Sequence, residues 1–259
     1  MAESIFEPAG DGRFIPTEAA LGPWTDQALH GSPPTMLLAR EVERFPAEQE
    51  MVVSRLTVEL LRPVGRTPLD VKARMVRPGR KVQLVETSLW NGDSEVARAT
   101  ALRIRRTEVD VPSAVDSLPH PAPESVGSWA GDWRHGNAYH VIGVDIRGPE
   151  PGVGGAPGWA WFRLKLPVVP GEEPTPLLRV CAAADFPNGI SYVVDPRKVS
   201  FVNPDLSVFV IRPPVDEWVL VDAHTWLEPS GTGMSEGALY DRRGRIGRSV
   251  QSLIVEARG

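Results

Sequence analysis

Polar and apolar residues alternate with a period of two through much of 51–105. "KVQLVETSLW" (81–90) shows the pattern, and "MVVSRLTVELLRPV", "LDVKARMVRPG" and "VARATALRIRR" repeat it. Successive side chains of a strand point to opposite faces, so these runs predict strands with one buried face. "NGD" at 91–93 supplies a hairpin turn. Upstream, "PPTMLLAREVERF" (33–45) sets Met36, Leu37, Val42 and Phe45 among charges, as an amphipathic helix does. Pro33 and Pro34 suit its first turn, where a missing amide hydrogen costs nothing. "GRFIPTEAALGPW" (12–24) predicts a strand and turn ahead of that helix. The order then recurs: strand "GWAWFRLKLPV", helix "TPLLRVCAAADF" (175–186), and three or four further strands. Between the halves, "VDVPSAVDSLPHPAPESVGS" (109–128) is rich in proline and predicts an extended connector. "RGPEPGVGGAPG" (147–158) is a loop without a counterpart.

The recurrence reaches individual residues. "RLTVELLRPV" (55–64) and "DLSVFVIRPP" (205–214) align without a gap at a separation of 150, with Leu56/Leu206, Val58/Val208, Arg62/Arg212 and Pro63/Pro213 identical. The same offset pairs Ala73 with Ala223, Glu86 with Glu236, Leu89 with Leu239, Trp90 with Tyr240 and Arg98 with Arg248. The helices align at an offset of 140, through Thr35/Thr175, Leu37/Leu177 and Leu38/Leu178. Loops of unequal length between helix and strand account for the two offsets. The chain reads as an internal duplication.

A strand, one helix and an antiparallel run of strands describe a sheet curled around a central helix, the hot-dog arrangement. One such unit leaves an open flank, and two pair edge to edge. The expected fold is therefore α+β, a double hot-dog whose two tandem units form a continuous antiparallel sheet wrapped around two central helices. Its divisions are an N-terminal unit at 1–108, a linker at 109–130 and a C-terminal unit at 131–259. Outer sheet edges left open predict a homodimer of such chains.

Charge and composition remove several function classes. A net charge of −5 offers no basic field to nucleic acid or an anionic membrane. Cys181 is the single cysteine, which excludes an internal disulfide and a thiolate zinc cluster and fits a reducing cytoplasm. Its apolar context, "LLRVCAAAD", predicts a buried structural thiol. The start, "MAESIFEPAGDGRF", lacks the basic and apolar regions of a signal peptide, and no apolar run approaches the ~20 residues that span a bilayer. The tryptophans at 24, 129, 133, 159, 161 and 226 are expected mainly in the core.

"HGSPPTMLLARE", "RLTVELLRPV", "RMVRPGRKVQLVETSLW", "AADFPNGISY", "NPDLSVFVIRPP" and "GRIGRSVQSLIV" together resemble the double hot-dog acyl-CoA thioesterases of the type II class. The resemblance covers nearly the whole chain and rests on the order and spacing of these segments. It implies hydrolysis of an acyl-CoA to a free acid and CoA, with no cofactor and no metal. It also implies that an Asp at the end of the second helix, a hydroxyl or amide residue on the next strand and a Gln on the last strand hold one water. Asp185 matches the Asp and Gln251 the Gln. Asn203 falls where the bacterial enzymes have Thr, and an amide can also orient water. Backbone amides at the start of the first helix, at Gly31 and Ser32, are the oxyanion donors, since Pro33 and Pro34 have none. Many relatives have a second Gly at position 32.

Alternatives remain at this level. Asp185 also suits a turn ahead of "PNG", and Gln251 an outward strand position; both would then serve a non-catalytic acyl-CoA or lipid-binding protein. "DQALH" (26–30) faintly resembles hot-dog hydratases, but without their Asn-Pro pair, so His30 reads as a turn or capping residue. Arg62 and Arg212, each before a proline, suit strand-end ion pairs or a phosphate clamp, and "RPGRK" (77–81) a basic turn. The repeat-mates of Gln251 and Asp185 are Ala101 and Phe45, which predicts one working site and one degenerate site.

Overall fold

The computed structural model describes residues 2–23, 25–112, 116–129, 138–154 and 158–258. Trp24 and Trp133, part of the 109–130 linker and part of the 147–158 loop lie outside them. The alternating runs of the first half form β3 (Met51–Leu60), β4 (Leu69–Arg77), β5 (Val82–Asn91) and β6 (Ser94–Arg105), after β1 (Phe6–Pro8), β2 (Arg13–Pro16) and helix α1 (Ser32–Arg44). The second half carries β7 (Val144–Arg147), β8 (Gly158–Leu164), α2 (Pro176–Ala184), the short α3 (Pro187–Ile190) and β9 (Val199–Val202). It ends in β10 (Asp205–Val210), β11 (Trp218–Glu228), β12 (Thr232–Asp241) and β13 (Gly244–Ala257).

All these strands join one antiparallel sheet in the order β1-β2-β4-β5-β6-β3-β10-β13-β12-β11-β8-β7, with β9 also on β13. Each half runs in the same order outward from the centre, the double hot-dog expected from the sequence. The halves meet where β3 pairs with β10, and Thr57 lies opposite Ser207, its own repeat-mate. Leu56 faces Val208 and Val58 faces Leu206, so the seam is self-complementary. A local two-fold relation between the halves passes through that pair.

The duplication also keeps an irregularity. In the first half β3 bulges against β6 between Val53 and Arg55. In the second half residues 203–206 stand opposite 251–253, one residue more on the first side, between the β9 and β10 pairings. Pro204, the repeat-mate of Ser54, sits there; it has no amide hydrogen for a ladder, and a bulge makes that harmless.

Helix α1 packs on β4, β5 and β6, α2 packs on β8 and β11, and the two helices pack on each other. Met36, Leu37, Leu38, Ala39 and Val42 are fully buried, as are Val180, Cys181, Ala183 and Ala184. Burial pushes the Cys181 thiol far above its ordinary range, so it packs as a small apolar group. Trp161 is fully buried and Trp129 nearly so, whereas Trp226 lies exposed on the outer sheet face, against the core expectation. Its strand alternates, and position 226 falls on the face that no helix covers.

The chain's own segments cover both outer edges, so open edges do not call for a second chain. Ile5 and Phe6 donate to the carbonyls of Pro167 and Val168, joining the N-terminal segment to the second half. At the other end Trp129 donates to Ile146 and Ser128 bridges Arg147, covering β7. The chain blunts its own outer strands.

Of the two arginines before proline, Arg62 is exposed, and Arg212 forms a strand-end ion pair. Its guanidinium grips Asp241 through bonds of 2.5 and 2.6 Å, and Asp241 also accepts the amides of Val215 and Arg243. Burial works to raise the Asp241 carboxyl; the Arg212 fork and the two amides outweigh it and hold the group below the usual carboxylate range. A folded value below the unfolded one gives stability that is present above about pH 4 and is lost as pH falls through the folded value. Asp241→Asn should therefore cost about 3–5 kcal/mol at pH 7, measured by urea denaturation. The gap between variant and wild type should narrow as the pH is lowered toward 2; a gap constant with pH would contradict the assignment.

Candidate active site

Asp185 caps the C-terminal end of α2, with φ −92° and ψ 3°. The helix stops because Pro187 has no amide hydrogen to give to the carbonyl of Ala183, which Phe186 takes instead. The seam places this end of α2 against the start of α1. Ser32 Oγ and the hydroxyl of Tyr139 both donate to the carbonyl of Ala182, at 3.2 and 3.1 Å, and so satisfy the last turn of α2.

The carboxylate of Asp185 is gripped from three sides. Oδ1 accepts from Asn203 Nδ2 and from Gln251 Nε2, each at 2.8 Å. Oδ2 lies 3.1 Å from His30 Nδ1. Below it is Gly31: a Cβ there would stand 2.5 Å from Oδ2 and 2.8 Å from Cγ. The carboxylate thus rests on the positive, N-terminal end of the thirteen-residue α1. Asp185 is 5% exposed and Gln251 fully buried.

Asp185, Asn203 and Gln251 are thus brought together by the end of α2, the β9–β10 bulge and β13. Gly31 joins them, and its amide has no acceptor among the described residues. Ser32 does not match its expected part, because its amide donates to His30 Nδ1 at 3.1 Å. That contact is the capping role expected of His30. The neighbouring Asp185 was not foreseen, nor was the packing of the imidazole, which lies 5.1 Å from the Tyr139 ring and 4.7 Å from that of Phe186. Burial raises the Tyr139 hydroxyl well above its ordinary value, so it stays a neutral donor. Tyr139 sits in a segment without a repeat-mate, and no sequence signal marked it.

The concave face beneath α3 carries a polar row. Thr225 pairs with Ser235 and Ser235 with Gln251 on successive strands. Ser191 Oγ meets Thr225 Oγ1 at 2.7 Å, and Thr225 Oγ1 meets Ser235 Oγ at 2.9 Å. The same row in the first half is Met75, Val85 and Ala101. With Phe45 opposite Asp185 and Val53 opposite Asn203, every polar member has an apolar mate. The equivalent cleft is still hollow, a cavity of about 330 Å³ bordered by Val53, Arg103, Pro176 and Glu43. Burial raises the Glu43 carboxyl, and a hydrogen bond from Thr175 partly offsets this.

Gln251 Oε1 is buried without a hydrogen-bond partner. Such an orphan acceptor costs about 1–3 kcal/mol unless a water or ligand reaches it. A second cavity of about 220 Å³ adjoins Asp185 and His30, with walls that include Trp129, Phe186, Tyr192 and Phe201. A buried carboxylate held by two side-chain amides, a free helix-end amide and an apolar cavity form a site able to activate water beside a bound apolar group.

A family model described as the acyl-CoA thioesterase N-terminal domain matches residues 20–104, and one described as the acyl-CoA thioesterase C-terminal domain matches 112–255. A conserved protein of unknown function with a hot-dog fold, from Alicyclobacillus acidocaldarius, superimposes with a TM-score of 0.76 at 16% identity, over 97% of this chain and 95% of that one. A TesB protein from Mycobacterium avium subspecies paratuberculosis gives 0.69 at 18% identity, over 97% and 95%. An acyl-CoA thioesterase II from Mycobacterium marinum gives 0.67 at 17% identity, over 98% and 96%. Identities this low establish the shared fold. No curated protein matches the chain significantly.

The close approach at Gly31 makes its own prediction. Gly31→Ala should drive the new methyl into the Asp185 carboxylate and destabilise the protein by about 1–3 kcal/mol, as overpacking does. Chemical denaturation checks it, and unchanged stability would show that the carboxylate does not rest there.

Proposed function

The chain belongs to the acyl-CoA thioesterase family, and on that premise we propose that it hydrolyses acyl-CoA thioesters to a carboxylic acid and CoA at the Asp185 site. The observation that carries the reading is the carboxylate of Asp185, held by two amides on Oδ1 and set on the N-terminus of α1, where the first repeat has only Phe45, Val53 and Ala101.

Asp185 is the general base in this reading. Asn203 and Gln251 hold the carboxylate through Oδ1, and the carboxylate takes a proton from water. The oxygen of that water adds to the thioester carbon while the carbonyl electrons move onto oxygen. The Gly31 amide, at the positive end of α1, donates to the oxyanion so formed. Collapse of the tetrahedral centre breaks the carbon–sulfur bond, and the sulfur leaves as CoA thiol with the proton taken up by Asp185. Gln251 Oε1 can accept a hydrogen bond from the water and fix its orientation. His30, packed against the Tyr139 and Phe186 rings, lies beside the carboxylate.

A cytoplasmic setting belongs to the same proposal; no helix among the described residues is long and apolar enough to cross a membrane.

The test is thiol release from a panel of acyl-CoAs. Asp185→Asn should lower kcat by about 10²- to 10⁴-fold, the scale of a general base, with a much smaller change in KM. Gln251→Leu should also lower kcat. Activity indifferent to Asp185→Asn would remove the base, and no thiol from any acyl-CoA would leave an acyl-binding protein instead.

A further inference from the structure

Among the polar side chains that border the cavity beside Asp185, Asn188 takes no part in the chemistry above. Asn188, on α3, borders the cavity and is 6% exposed. Its side-chain amide has no hydrogen-bond partner among the described residues. The neighbouring polar groups are engaged: Asn203 and Gln251 donate to Asp185, Ser191 donates to the carbonyl of Pro187, and the Tyr192 hydroxyl donates to Pro151. Native interiors rarely leave an amide unpaired, and a site built to pair with a ligand is where one persists.

The rest of the wall limits what that ligand can be. Trp129, Phe186, Tyr192 and Phe201 present ring faces and edges, which pack well on hydrocarbon or another flat group. The cavity is small, about 220 Å³, and its apolar walls suit a compact acyl group.

We propose that Asn188 determines acyl specificity, and that the substrate is a short acyl thioester bearing a hydroxyl or keto oxygen on an otherwise hydrocarbon acyl group. An amide both donates and accepts, which matches a hydroxyl in either sense and a keto oxygen through the NH₂. An acyl group lacking that oxygen leaves the Asn188 amide desolvated and unpaired, so the site discriminates against it. The inference rests on the thioesterase reading above and adds the substrate class to it.

The experiment uses the full chain and matched CoA thioesters: butanoyl-, hexanoyl- and phenylpropanoyl-CoA, each against its positional hydroxy derivatives, with palmitoyl-CoA as the long-chain control. For wild type, at least one hydroxylated member should exceed its parent about tenfold in kcat/KM, chiefly through KM, and palmitoyl-CoA should be a poor substrate. Asn188→Leu has similar bulk and no hydrogen-bonding group, and should bring that ratio to one or below. Asn188→Ala should do the same, and serves if the leucine variant fails to fold. The proposal is overturned if no hydroxylated member outruns its parent, or if the preference survives both substitutions. A loss equal for parent and hydroxylated thioesters would place Asn188 against the CoA arm and overturn it too. Thiol release without discrimination leaves the thioesterase reading standing, whereas no release from any thioester removes both.

Discussion

Backbone pairing between β3 and β10 is the constraint from which the rest of the molecule follows. It joins two half-sheets that would otherwise each expose an unpaired edge. Because Thr57 faces Ser207, the seam aligns the repeats about a local two-fold relation and fixes the position of everything else. A slip of one residue would turn Leu56, Val58, Leu206 and Val208 from the core to the solvent face, so the register is strongly specified. One consequence is that the start of each central helix meets the end of the other. Ser32 reaches Ala182 at one crossing, and Glu43 reaches Thr175 at the other. Two related clefts are therefore built into the fold, whatever their side chains do.

The side chains treat the two clefts in opposite ways. Met75, Val85 and Ala101 line the first half with groups that lose little by leaving water. Thr225, Ser235 and Gln251 place hydroxyls and an amide in the same row, where each needs a partner. The polar row is the costlier solution for packing alone. It keeps a hydroxyl chain from Ser235 to Ser191, which ties α3 to the sheet just past Asp185. The bulge common to both repeats shows the same division: it carries Val53 and Ser54 in one and Asn203 and Pro204 in the other. The backbone feature came with the duplicated unit, and the amide that reaches Asp185 is specific to the second copy.

Much of this fold was legible because strand periodicity and a constant offset are local properties of sequence. The hairpins β5–β6 and β12–β13 keep the 150-residue separation throughout, and the helices begin and end within two residues of their periodic runs. Asp185, Asn203 and Gln251 were legible as candidates through family likeness. Their meeting depends on the seam and on a bulge, neither of which has a sequence signature of its own. His30 was read correctly as a cap. Its contact with Asp185 is tertiary, as is its packing against Tyr139 and Phe186, and periodicity carries no information about either. Ser32 failed as a donor because His30 occupies its amide, a local hydrogen bond that competes with any ligand. The covered outer edges were missed because residues 5–6 and 128–129 lie outside any alternating run.

The electrostatics of Asp185 show why Gly31 and His30 belong together. A carboxylate at the C-terminal end of α2 faces the negative end of that helix, an unfavourable place. It is tolerated because the N-terminus of α1 and two amide donors lie on its other sides. Closeness to α1 demands a residue without Cβ at 31, since any other would meet the carboxyl at 2.5–2.9 Å. His30 Nδ1 then stands between an amide that can only donate and a carboxylate that, when ionised, can only accept. With Nδ1 bare, the imidazole serves Ser32; with Nδ1 protonated, it serves Asp185. The hydrogen bond from Ser32 therefore sets the imidazole beside the carboxylate, and the ring packs against Tyr139 and Phe186 there.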